Sequence, residues 1–273
     1  MKYKSLILVS TVIVFILATI LSFVWLFQVR YIDVDVVADD VQKQEMYDEI
    51  NGILTDSYRG KSFFSFTQEE IEDKLTQNPY FSIKSVRKVF PDRIQVVVAK
   101  RREIFAFEYN STFYVTDSEY HLLKKETDES VLAKNVMKIT LTEIELDEST
   151  LILGEKMGYA NDKLVGSMTA IFNEFTDGLN LVKSVTIRGK QNWIDFYTKT
   201  GVCIEFSFRP SSPNLSEGEK SAEMQEIVNS TSIAEQTYLS LSESEKRLGY
   251  VLVYTKANGK VCVEHAEKKT ELD

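Results

Sequence analysis

The stretch from Asn78 to Val98, NPYFSIKSVRKVFPDRIQVVV, decides the fold. Asn78-Pro79 stops a helix, because the residue before a proline is pushed out of the helical region. Tyr80 to Phe90 then reads as a strand, Pro91-Asp92 as a turn and Arg93 to Ala99 as a second strand. Ile94, Val96 and Val98 recur at period two and share one face, with Val97 giving partial cover on the other. A helix stop followed by two strands across a tight turn is the closing half of a small mixed module.

The opening half lies upstream. Tyr31 to Val37 alternates Ile32, Val34 and Val36 against Asp33 and Asp35, the pattern of a half-buried strand. Asp40 is placed to cap a helix beginning near Val41, with Met46, Ile50 and Ile53 or Leu54 on one face and Gly60-Lys61-Ser62 closing it. Phe63 and Phe64 read as core anchors in the connection. Thr67 with Glu70 makes a capping box for the next helix, stapled by Phe66 against Ile71, and Leu75 follows one turn on. The order is β-α-α-β-β.

Further upstream, Leu6 to Phe27 holds about 22 residues without a charge, enough to span a hydrocarbon core of roughly 30 Å as a helix. Trp25 suits the interface at its end. A cleavable signal peptide has a shorter apolar region and a small-residue cleavage site, whereas Val-Trp-Leu-Phe-Gln-Val-Arg follows Phe23 here. An uncleaved single-pass anchor is therefore expected. Lys2 and Lys4 assign the N-terminus to the cytoplasm and everything after Gln28 to the far side.

Beyond Ala99 the pattern turns mostly to strands. Ile104–Tyr109, Thr112–Asp117 and Tyr120–Leu123 read as a meander turning at Asp117 to Glu119, with a further strand over Lys134 to Leu141. Leu164, Val165, Met168, Ile171, Phe172 and Phe175 mark a helix over Asn161 to Thr176, ended by Gly178. Strands follow at Leu181–Ile187, Asn192–Thr198 and Val202–Phe208, then a loop over 210–219 and a helix near Glu219 to Val228. Strands at Tyr250–Thr255 and Lys260–His265 flank an Asn258-Gly259 turn. The fold class is α+β, with a mainly antiparallel β-domain and flanking helices after the first module. The domain expectation is a tail over 1–5, an anchor over 6–27, the β-α-α-β-β module over 31–102, the β-domain over 103–265 and a charged tail over 266–273.

Net charge is -9, with 41 acidic against 32 basic residues, so nucleic acid is excluded as a partner for want of a basic face. The cluster Lys100-Arg101-Arg102 reads as the solvated end of a strand. Cys203 and Cys262, both in strand-like runs, leave open one disulfide or two buried thiols. No glycine-rich phosphate loop, G-x-S-x-G elbow or H-E-x-x-H occurs. His121 and His265 sit apart at strand ends, and Glu69, Glu70, Glu72 and Asp73 are the acids a helix N-terminus favours. No catalytic residue, metal or cofactor is expected.

Contact with another polypeptide remains. An open sheet edge accepts a further strand through main-chain hydrogen bonds. The candidates are Tyr250, Val251, Leu252, Val253 and Tyr254, and the neighbouring Val261 and Val263; the competing reading makes them interior strands.

A short tail and one anchor, then YIDVDVV, GKSFFSF, NPYF and SVRKVFPDRIQVVV: this series resembles the FtsQ/DivIB family of bacterial cell-division proteins. Gly60–Phe66, Asn78-Pro79 and Val86–Val98 carry the likeness, and TFYVTDSEY resembles the opening of the family's β-domain. Lys100-Arg101-Arg102-Glu103 departs from the Glu-Arg-x-Pro common in the family at that place. The resemblance implies that the first module is a POTRA domain. It implies a non-enzymatic, single-pass divisome scaffold at the septum, binding FtsL and FtsB/DivIC-like coiled-coil proteins. Late β-domain strands would make that contact, here Tyr250 to Tyr254 and, next to them, Val261 and Val263. The alternative is a POTRA-containing accessory of envelope assembly or polypeptide transport.

Overall fold

Ile94, Val96 and Val98 are almost fully buried at the centre of a three-stranded sheet, as their alternation requires. The computed structural model of the chain describes residues 2–159, 162–208, 216–247, 249–256 and 258–267. It divides into two units, Met1–Arg101 and Arg102–Asp273.

The first unit runs α1 (Lys2–Leu26), β1 (Tyr31–Val37), α2 (Asp40–Tyr58), α3 (Gln68–Thr76), β2 (Phe81–Val89) and β3 (Arg93–Lys100). β3 is central, parallel to β1 and antiparallel to β2. Met46, Ile50, Leu54 and Tyr58 recur every fourth residue along α2 and are all buried, while α3 adds Ile71 and Leu75. Each such side chain contributes about 1.5–3 kcal/mol on leaving water. A bulge between Ile83 and Ser85 keeps Phe81, Ile83 and Val86 on the core face of β2. The same shift turns Lys88 inward. Its ammonium lies 4.7 Å from the Phe63 ring centre and 4.3 Å from that of Phe66, and donates to the Phe66 carbonyl. Burial pulls its pKa below the ordinary lysine value.

Three expectations change here. Asp39, one residue before Asp40, occupies the N-cap position of α2. Thr67 Oγ1 accepts from the Glu70 N–H at 3.1 Å, the forward half of the expected box, and the staple pair Phe66 and Ile71 is buried. Phe63 is a core residue, but Phe64 is 67% exposed: the two are the central residues of a turn closed by the Ser65 N–H on the Ser62 carbonyl, and only Phe63 faces the core.

The run expected to cross a membrane, Leu6 to Phe27, falls partly outside the described side chains. Among the described residues no helix is long and apolar enough to cross a membrane. Within α1, Val12 to Leu17, Leu21, Trp25 and Leu26 are apolar and largely exposed.

The second unit contains β4 (Phe105–Tyr109), β5 (Thr112–Thr116), β6 (Leu122–Glu126), β7 (Met137–Thr142), α4 (Asp162–Glu174), α5 (Gly178–Leu181) and β8 (Val182–Arg188). It continues with β9 (Trp193–Thr198), β10 (Cys203–Ser207), α6 (Glu217–Asn229), α7 (Thr231–Ser240), β11 (Tyr250–Thr255) and β12 (Val261–Ala266). All nine strands form one sheet in the order β12-β11-β10-β9-β8-β7-β4-β5-β6. Antiparallel joins predominate, but β4–β7, β7–β8 and β10–β11 are parallel. Parallel neighbours need a long crossover, which α4 and α5 supply between β7 and β8, and α6 and α7 between β10 and β11. Met168 and Ile171 of α4, Ile227 of α6 and Ala234 of α7 join Val185, Phe196, Ile204 and Val253 of the sheet in one core.

β4 and β5 are joined by Asn110-Ser111, both with positive φ (49° and 59°), the two-residue hairpin geometry. Gly178 does not end the long helix, which stops at Glu174; it opens α5, where a β-carbon would stand 2.7 Å from the Phe172 ring. Asn161 and most of the loop expected over 210–219 lie outside the described residues, as do 268–273 of the charged tail. The helix α7 has no counterpart among the sequence expectations.

Candidate functional site at the sheet edge

The polar groups that could suggest chemistry are engaged structurally. Asp195, 1% exposed, receives Arg188 through Nε at 2.9 Å and Nη2 at 2.8 Å. Glu235 accepts from the N–H and hydroxyl of Thr176. Asp117 accepts from the backbones of Glu119 and His121 and faces His121 Nδ1 at 3.1 Å, which organises the turn before β6. Among the described residues no group of three His, Cys, Asp or Glu is arranged to hold a metal ion. Arg101, in the basic cluster after β3, donates to the Pro79 carbonyl at 3.2 Å.

Both cysteines are free. Cys203 pairs with Tyr250 and Cys262 with Tyr254, so β11 lies between them and they are offset along the strands. Two strand spacings of about 4.8 Å already exceed the Cα separation of roughly 7 Å beyond which a disulfide does not form.

The late strands separate into two kinds. β11 is flanked by β10 in parallel, Cys203 opposite Tyr250 through Phe206 opposite Val253, and by β12 in antiparallel. Val251, Leu252 and Val253 are at most 1% exposed. Tyr250 to Val253 therefore cannot receive a strand: the hydrogen-bonding directions of their backbone are taken on both sides, while Tyr254 pairs with Cys262 of β12 alone. This corrects the expectation for Tyr250, Val251, Leu252 and Val253.

Val261 and Val263 lie in β12, which closes the sheet order. Among the described residues it has β11 on one side and no strand on the other. Val263 stands opposite Val253, and Val261 opposite Thr255, on the face covered by α7. Both valines are half-buried against the core. Cys262, Glu264 and Ala266 occupy the other face, where Tyr254 donates to Glu264 at 3.0 Å. Gly249 (φ +112°) permits the close start of β11 against β12, since a β-carbon there would meet the Ala266 carbonyl oxygen at 2.8 Å.

Cys262, between the two expected valines, and Glu264, His265 and Ala266 belong to the same rim; the last three are absent from the partner-site expectation. The signal was available in the Asn258-Gly259 turn. The last strand of a terminal hairpin is guaranteed one neighbour, whereas the strand before it can acquire two.

The family model described as "POTRA domain, FtsQ-type" matches residues 35–101. The Cell division protein DivIB of Clostridium acetobutylicum is 22% identical over 172 residues, covering 50% of this chain and 68% of that protein. Among solved structures, the major extracytoplasmic domain of the trans isomer of DivIB from Geobacillus stearothermophilus aligns at 12% identity and a TM-score of 0.26, over 40% of this chain and 79% of that one. The POTRA match falls on the β-α-α-β-β unit, and over that unit the chain is similar to the FtsQ-type POTRA domain of cell-division proteins.

Proposed function

We propose that this chain is a non-enzymatic, membrane-anchored scaffold of the division septum that captures a partner polypeptide as an added strand on β12. The single observation that carries the reading is the unpaired outer rim of β12 in a chain related to a cell-division protein. The uncharged run from Leu6 to Phe27 supports the anchor, with the N-terminus in the cytoplasm and everything after Gln28 outside. Partners of the FtsL and FtsB/DivIC-like coiled-coil kind suit the site, since a short extended segment beside a coiled coil supplies the strand. Main-chain hydrogen bonds contribute about 0.5–1.5 kcal/mol net each, so side chains must add to them. Val261 and Val263, with the exposed Ile233 and Leu239 on α7, provide apolar surface for that purpose.

A photoreactive residue in place of Glu264, in the full-length chain in cells, tests the reading. The expected product is an adduct with another membrane division protein, and a fluorescent fusion of the same chain gathers at midcell. A fusion spread evenly around the envelope, or adducts confined to unrelated proteins, contradicts the proposal.

A further inference from the structure

The first unit carries an exposed aromatic ledge at the point where α1 ends. Phe64 and Phe90 are 67% and 63% exposed. Their rings stand 5.4 Å and 5.3 Å from that of Phe27, in the residue directly after α1, and Phe63 lies beneath both. Two large exposed rings packed against the same pair of neighbours are uncommon on a free surface.

The ledge is fixed to the helix exit by backbone bonds. Phe63 donates to the Phe27 carbonyl at 2.6 Å, Val29 to Lys61 at 3.0 Å, and Gly60 to Val29 at 2.9 Å. Arg30 donates to the Asp92 carbonyl at 2.9 Å, which ties in the second loop. Val29, between these anchor points, is 1% exposed. Loops 58–66 and 87–93 therefore follow the orientation of the segment that leaves α1.

Charge identifies the occupant. Segments 25–31, 58–66 and 87–93 hold six basic residues against one acid, Asp92, in a chain of net charge -9. Lys88 is turned inward and Arg93 is paired with Asp33 at 2.9 Å, so the cations on offer are Arg30, Arg59, Lys61 and Arg87. The Arg30 guanidinium lies 4.0 Å over the Trp25 ring and donates to the Trp25 carbonyl at 2.7 Å, a cation and an indole held at the helix end. Aromatic rings with interleaved cations fit a bilayer interface, where the ring enters the headgroup layer and the cation meets phosphate.

We infer that Phe64, Phe90 and the cations around them form a second membrane contact, seating the first unit on an anionic bilayer surface and setting its tilt. This deepens the proposed function and rests on the anchor being in the membrane.

The test uses the full-length chain in nanodiscs containing anionic lipid brominated near the headgroup. One protein keeps Trp25 alone, through Trp193→Phe. Two others carry Trp25→Phe and Trp193→Phe with either Phe64→Trp or Phe90→Trp as sole reporter. The expected result is quenching of the Trp25 protein and loss of about half the emission from each ledge reporter, as rings at interface depth require. Arg59→Glu with Lys61→Glu, both exposed side chains, reduces ledge quenching at least about twofold and leaves Trp25 quenching unchanged. A quenched Trp25 protein with unquenched ledge reporters overturns the inference and leaves the anchor standing. An unquenched Trp25 protein overturns both. Ledge reporters that shift to the blue without quenching reveal a protein cover, a second copy or a partner, and also overturn the inference.

Discussion

The two ends of the nine-stranded sheet are finished differently. At β6, the segment 154–157 folds over the start of the strand: Leu122 donates to Glu155 at 2.8 Å and accepts from Gly154 at 2.7 Å, and Met157 donates to Tyr120 at 3.0 Å. Lys124 and Lys125 follow, with Lys124 paired to Glu103 at 3.1 Å, and a bulge lies at Val115/Thr116. Cover, lysines and a bulge are the devices by which edge strands avoid unwanted pairing. Among the described residues β12 uses none of them: it contains no lysine, its pairing with β11 is regular, and its acid Glu264 is bonded to Tyr254. On the proposed function, an edge left in this state while its opposite is covered at its start is an edge kept for a partner.

The largest expected effect breaks the contrast between β11 and β12. Val253→Pro, in a strand bonded on both sides, costs about 3 kcal/mol or more and unfolds the second unit in a denaturant titration. Of the adjacent β12 positions Val263 and Glu264, one turns its N–H outward. Proline there leaves the midpoint within about 1 kcal/mol of the parent and abolishes co-purification of the partner. Next in size, Gly249→Val forces a β-carbon against Ala266 at a φ unfavourable for side chains. It destabilises the second unit by roughly 1–3 kcal/mol and weakens partner capture in the same measurement.

The closed end gives a smaller, pH-dependent effect. Burial holds the Tyr120 hydroxyl well above the ordinary tyrosine pKa. The unfolded chain then ionises first, so stability falls as pH rises past about 10, where unfolded tyrosines lose their protons. Tyr120→Phe makes that fall shallower and costs about 1 kcal/mol at neutral pH through loss of the bond to Val165. Smallest is Thr67→Ala in the first unit. The lost cap costs about 1 kcal/mol there and leaves partner capture by β12 unchanged in a pull-down.

The first unit was legible because its signals are local. Period-two alternation in β1 and β3, the Asn78-Pro79 stop and the Thr67 cap each act within a few residues, and the family likeness rests on the same stretch. Phe64 was misread because it sits with Phe63 at the centre of a tight turn, which sends only one of the two rings into the core. The second unit was legible as strands but not as a sheet. Two of the three parallel joins arise from crossovers through α4–α5 and α6–α7, the third (β4–β7) spans β5 and β6, and neighbour choice over such distances leaves no short-range pattern. The capping box at Ser216 and Glu219 is complete in the structure but went unread, so α6 was expected to begin near Glu219, two residues late. With α7 unread, the parallel docking of β11 on β10 was invisible, so β11 and β12 could not be told apart. Hairpin order alone favoured β12 as the rim.

Amide hydrogen exchange of the full-length chain in detergent, with and without the co-purified partner, tests the central claim most directly. Alone, the β11 amides and Leu122 should be strongly protected, while alternate amides of β12 exchange at rates close to those of loops. With the partner bound, those same β12 amides should become protected. Uniform protection of β12 in the isolated chain, or no change on adding the partner, would contradict the account.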